Sequence, residues 1–153
     1  MIDEEPVVPD WVDKLLEDRL SKKADDNIQS QKHAIAVAAT ARIKPLILKL
    51  TEESVEKFSR AIGGVEGPVT SPFNGYTRFR TSKPPLRVVE FGFAEARILF
   101  RIYQDDRWNA SEEAINIRGE FNEEPWFEHN GERLNTIEQV SELLLRSLFE
   151  SVK

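Results

Sequence analysis

The chain contains no cysteine and only two histidines among its 153 residues. The first absence excludes a disulfide framework, a thiolate nucleophile and any cysteine-ligated zinc or iron–sulfur site. The second leaves His33 and His129 far apart and without partners at metal-ligand spacing. His33 is expected at a polar helix position and His129 in a hairpin, with no metal bound. Long hydrophobic runs are also missing, and none approaches the roughly 20 apolar residues that span a bilayer. The opening MIDEEPVVPD is acidic where a secretory signal is basic and then apolar, so the expected location is cytoplasmic, with no membrane partner. A Gly-x-Ser-x-Gly elbow, a Walker loop and a dinucleotide fingerprint are all absent. The glycine-rich stretch Gly63-Gly64-Val65-Glu66-Gly67 runs into Pro68, where a phosphate cradle needs backbone donors. No cofactor is expected.

What is present describes a chain that folds. A hydrophobic share of 40% beside 31% charged residues is ordinary for a globular domain and excludes the low-hydrophobicity composition of a disordered one. The net charge of −6 conceals acidic ends and a basic middle. An acidic balance argues against a nucleic-acid partner, because phosphate-backbone affinity comes mainly from lysine and arginine.

Hydrophobic spacing divides the chain into helical, extended and again helical parts. Residues 1–9, with Pro6 and Pro9, read as a loose lead-in to one domain over 10–153. Asp10 is placed to cap a helix in which Trp11, Val12, Leu15, Leu16 and Leu20 form a stripe packed on the body. A polar stretch follows, either a loop or a solvated helix. A second helix is expected from about Ser30, carried by AIAVAATARI, with a kink or restart at Pro45. Thr51-Glu52-Glu53-Ser54 resembles a fresh helix start, and Gly63-Gly64 a stop. Beyond Gly64 the period becomes two, with strands expected near 76–81, 86–93, 96–103 and 114–121 and a hairpin at 126–134 turning on Asn130-Gly131. These connections are too short for crossover helices, so the sheet is expected to be an antiparallel meander of about five strands. A last helix begins with a capping box at Asn135 or Thr136 and carries Ile137, Val140, Leu144, Leu148 and Val152 along one side. The predicted fold class is a two-layer α+β arrangement, with N-terminal helices, the meander and a C-terminal helix.

A trial register for the two middle strands places the turn at Ala94-Glu95 and pairs Phe91 with Ile98 and Val89 with Phe100 on an apolar face. The opposite face carries Glu90 diagonally between Arg97 and Arg101. Tyr103, Arg118, Asn116 and Glu120 extend it, and Arg78 and Arg80 join from the first strand. Guanidinium forks suit carboxylates and phosphates, so Arg78, Arg97, Arg101, Tyr103, Arg118 and Glu90 are candidate ligand- or partner-binding residues. The plain alternative is a solvated face whose arginines are balanced by Glu90 and Glu120. Trp108, in the Gln104–Glu113 loop, is a further candidate, since large aromatics in loops favour binding surfaces. Phe91-Gly92-Phe93 resembles the centre of the first ribonucleoprotein motif, yet Val89 and Glu90 stand where that motif has a basic residue and a glycine. Both phenylalanines are therefore expected in the core.

With no catalytic constellation, the expected function is a non-enzymatic protein-interaction module of adaptor, chaperone or immunity-like character. Its partner is another protein or a second copy in a homodimer. The alternative is a binder of, or enzyme for, a small anion on the arginine-rich face.

Overall fold

The structure is a computed structural model that describes residues 7–104 and 110–152. Helix α1 (Asp10–Ala61) leads into strands β1 (Val65–Thr70), β2 (Thr77–Thr81), β3 (Arg87–Ala94), β4 (Arg97–Gln104), β5 (Glu113–Arg118), β6 (Trp126–His129) and β7 (Glu132–Leu134), and helix α2 (Ile137–Glu150) closes the chain. Every strand pairs antiparallel with its neighbours in sequence, giving the sheet order β1-β2-β3-β4-β5-β6-β7. The expected α+β meander flanked by helices is present, with seven strands where about five were expected. The hairpin over 126–134 supplies two of them. Asn130 and Gly131 take the left-handed backbone at its turn, as a two-residue primed turn requires. Val65–Thr70, expected as a connection, is an edge strand on β2, interrupted by a register shift between Glu66 and Val69. Gly67 and Pro68 masked it in the sequence, and an edge tolerates both because one side of the strand needs no ladder bonds.

One sheet face is apolar and lies under both helices. Phe79, Phe91, Ile98, Phe100, Ile115, Ile117 and Phe127 are buried against Ile43, Ile47 and Val55 of α1 and Val140, Leu144, Leu145 and Leu148 of α2. The helices also meet each other, where the rings of Phe58 and Phe149 stack with centroids 4.4 Å apart. The start of α2 is fixed by its capping box. The Thr136 hydroxyl accepts from the Gln139 backbone, and the Gln139 side chain accepts from the Thr136 backbone N–H.

The helical part departs from its expected form. A single helix of 52 residues replaces two or three, running through both Pro45 and Thr51-Glu52-Glu53-Ser54. Asp10 is its first residue rather than its cap, and the capping position falls to Pro9 with no side-chain bond. Thr51 is buried and its hydroxyl donates back to the Ile47 carbonyl at 2.9 Å, a mid-helix bond where a start was expected. Pro45 removes one donor and crowds the preceding turn, at a cost of about 3 kcal/mol. It points into solvent, while Ile43 and Ile47 on either side are buried. Burying those two side chains contributes roughly 1.5–3 kcal/mol each, so packing outweighs the proline.

The trial register is also corrected. Ala94 faces Arg97 across a turn made by Glu95 and Ala96, so Phe91 meets Phe100 and Glu90 meets Arg101. Moving the turn one residue later lets Glu95 take the left-handed backbone and buries Ala96. The pairing shifts by two residues, an even step, so no side chain changes face.

Replacing Pro45 with alanine restores the missing donor on an exposed side. Unfolding free energy should rise by about 1–3 kcal/mol and the thermal midpoint by roughly 3–8 °C. Calorimetry showing a lower midpoint contradicts this account of α1.

Candidate functional site

The outward sheet face carries the predicted arginines, and the register decides which of them meet. Arg78, Glu90 and Arg101 lie side by side on β2, β3 and β4. The Arg78 guanidinium donates to Glu90 at 3.2 Å, and Arg101 lies 3.7 Å from Glu90 on one side and 3.7 Å from Glu112 on the other. Glu90 is only 4% exposed although no helix covers this face. The flanking side chains close over it, and they leave Nε of both Arg78 and Arg101 buried without a hydrogen-bond partner.

Tyr76 completes the closure. Its ring lies over Gly92, where a β-carbon would come within 2.4 Å of Cδ1, and its hydroxyl donates to Glu112 at 3.0 Å. Burial raises the pKa of this phenol above its ordinary value, and the hydrogen bond and charge of Glu112 raise it further. Tyr76 was not among the predicted residues. The available signal was a glycine within an otherwise bulky strand, which marks close approach by another group.

No family model, curated protein or solved structure matches this chain. The remaining candidates are dispersed. Arg97 and Arg118 line a separate cleft of about 630 Å³ with Lys32, His33, Asn116 and Trp126, where α1 passes the rim of the sheet. Arg118 lies 3.5 Å from Glu128 there. Tyr103 stands with Arg87 and Gln104 at the far end of β4. Trp108 lies outside the described residues. His33 is on α1 with Glu95 at 3.5 Å. His129 ends β6, 3.2 Å from Glu113, with its ring against Phe100. Among the described residues no group of three or more His, Asp or Glu is arranged to hold a metal ion.

The other conspicuous surface is the first half of α1. From Asp10 to Ala34 every residue is exposed except Val12, which is half-buried, and packing begins only at Ile35. The stripe expected to lie on the body therefore stands free of it. Trp11 is 67% exposed and Leu20 65%, and Leu15, Leu16 and Ile28 are also exposed. The exit point is fixed by Gly119, where a β-carbon would come within 2.7 Å of Ile35 Cγ2, by the ion pair from Lys32 to Glu120 and by the contact of the His33 ring with Glu95. In this antiparallel order the β1–β2, β3–β4 and β5–β6 connections share that end of the sheet. Phe73 and Phe121, 95% and 81% exposed, lie in the first and third of them.

Two measurements check the closed cluster. Glu90→Gln strands two guanidiniums in a partly dry site. Full burial would put the loss near 3–5 kcal/mol, but the arginines are about a third exposed, so about 2 kcal/mol is expected, with a midpoint lower by roughly 4–8 °C. In an absorbance titration, one of the two tyrosines should ionise late. Tyr76→Phe should remove that component and Glu112→Gln should bring it back toward the ordinary range. Because the folded pKa is the higher one, the stability this group contributes is complete below about pH 10 and is lost as the pH rises through the folded value.

Proposed function

We propose that the protein is a non-enzymatic interaction module that engages a helical protein partner along the overhanging half of α1. The observation that carries this reading is the free apolar stripe of Trp11, Leu15, Leu16 and Leu20. Val12, Leu16, Leu20, Ala24 and Ile28 recur every four residues, which makes a ridge of the kind that seats in the groove of another helix at about −50°. This half of the helix lacks the tertiary packing of an apolar face that supplies most helical stability in proteins. Spacings of four between opposite charges, as in Asp10/Lys14, Asp18/Lys22 and Lys22/Asp26, support it by a few tenths of a kcal/mol each. Covering the ridge supports it much more. Phe121, next to the Glu120 that binds Lys32, adds an exposed apolar side chain in the β5–β6 connection near the root of the projecting helix.

The alternative, an anion held on the arginine-rich sheet face, has less support. Arg78 and Arg101 are engaged by Glu90 and Glu112, and their buried Nε atoms are out of reach of a ligand.

In the triple variant Trp11→Ser, Leu16→Ser, Leu20→Ser the core is untouched. Its midpoint should stay within about 2 °C of the parent, while complex formation, whether with a second copy or with a different protein, should fall by at least tenfold. Sedimentation of the parent over a concentration series separates those two partners. Hydrogen exchange of amides 10–33 should be fast in the lone monomer and slow in the complex. Equal slow exchange in a confirmed monomer removes the case for a partner on this helix.

A further inference from the structure

The opposite end of the sheet carries a cavity that neither the overhanging helix nor the arginine-bearing face uses. It has a volume of about 640 Å³, within the usual range for small-molecule sites. It lies where α1 and α2 both end, against the β2–β3 connection. Ile62, Pro84, Pro85 and Val152 give it an apolar wall, and Lys83 and Arg87 give it positive charge. Ile62 is 66% exposed there, an apolar side chain facing open space rather than core. A smaller cavity of about 470 Å³ shares Arg87 and Gln104 and extends toward Ile102 and Tyr103.

The charge pattern is unusual for this chain. It has 27 acidic residues, yet none of the described residues lining either cavity is acidic. Among the described residues, no carboxylate lies within 4.0 Å of Lys83 or Arg87. Arg87 is nevertheless held in place, with its backbone N–H on the Thr81 hydroxyl at 2.9 Å and its Nε on the Ser151 hydroxyl at 3.3 Å. Among the described residues, no hydrogen bond engages the two terminal nitrogens of the guanidinium, which form the fork that grips a carboxylate.

The helix ends narrow the choice of ligand. The last carbonyls of α1 and α2 place partial negative charge beside this cavity. That field offsets part of the two cations and penalises a dianion, whereas a single negative charge remains favoured. We propose that the cavity binds a small organic monocarboxylate, its carboxylate on Arg87 and Lys83 and its apolar body against Ile62, Pro84, Pro85 and Val152.

Hexanoate and benzoate are the probes, with acetate and inorganic phosphate as controls at equal ionic strength. Either long acid should bind saturably, raise the thermal midpoint and shift the amide resonances of Gly63, Gly64 and Val152. Acetate lacks the apolar body and phosphate carries the wrong charge, so both should be at least tenfold weaker. Lys83→Gln should weaken hexanoate by roughly tenfold or more without changing the midpoint of the free protein. Arg87→Lys, which keeps the charge and loses the fork, should weaken hexanoate to a similar extent. The assignment is overturned if neither long acid binds saturably, if phosphate binds as tightly as hexanoate, or if Lys83→Gln binds hexanoate like the parent.

Discussion

A mismatch of lengths organises this molecule. The longest strands, β3 and β4, have eight residues each and span about 27 Å, whereas the 52 residues of α1 extend about 78 Å. Strands only about a third as long as the helix leave much of it uncovered. The apolar spacing of Ala36, Ala39, Ile43, Ile47 and Val55 fixes which half is covered. What lies before Ile35 must project, and the projection brings Trp11 and the leucines into water. The core, the exit of the helix past Gly119 and the location of the free ridge all follow from that one constraint.

The same meander sends its two kinds of connection to opposite ends. Connections that follow β1, β3 and β5 gather beside the projecting helix, with Phe73 and Phe121. The β2–β3 connection lies with the ends of α1 and α2, with Lys83 and Arg87. The outward face between them is closed by its own side chains. Glu90 sits where three strands align Arg78, Glu90 and Arg101, and this alignment, rather than a covering helix, keeps it dry. The cluster therefore belongs to the integrity of the sheet, while the projecting helix and the cavity beside Arg87 lie toward its two ends.

Much of this was legible in the residues. The change of rhythm after Gly64, the Asn130-Gly131 turn, the capping box of α2 and the apolar face of β3 and β4 could all be read directly, because each depends on local chemistry. The trial register was off by two residues, yet it assigned faces correctly because an even shift preserves them. Besides the edge strand β1, three things were not legible. The continuity of α1 through Pro45 depends on tertiary burial of Ile43 and Ile47, which local propensity does not contain. The burial of a stripe depends on whether a surface lies opposite, so the Trp11–Leu20 stripe was read as packed when the sheet is too short to reach it. Glu90 and Arg78 were both candidates, but their meeting depends on how β2 aligns with β3, which the turn between them does not specify from sequence.

The flanks of the sheet carry a consequence for how copies of this protein meet. β1 is broken by its register shift and carries Pro68, which has no N–H to offer a new strand. β7 is three residues long and begins with Glu132 and Arg133. Neither border is a template on which another chain extends the ladder. Crowded copies are therefore kept from zipping into fibres through the borders of this sheet, and the exposed apolar side chains of the rod stand apart from it.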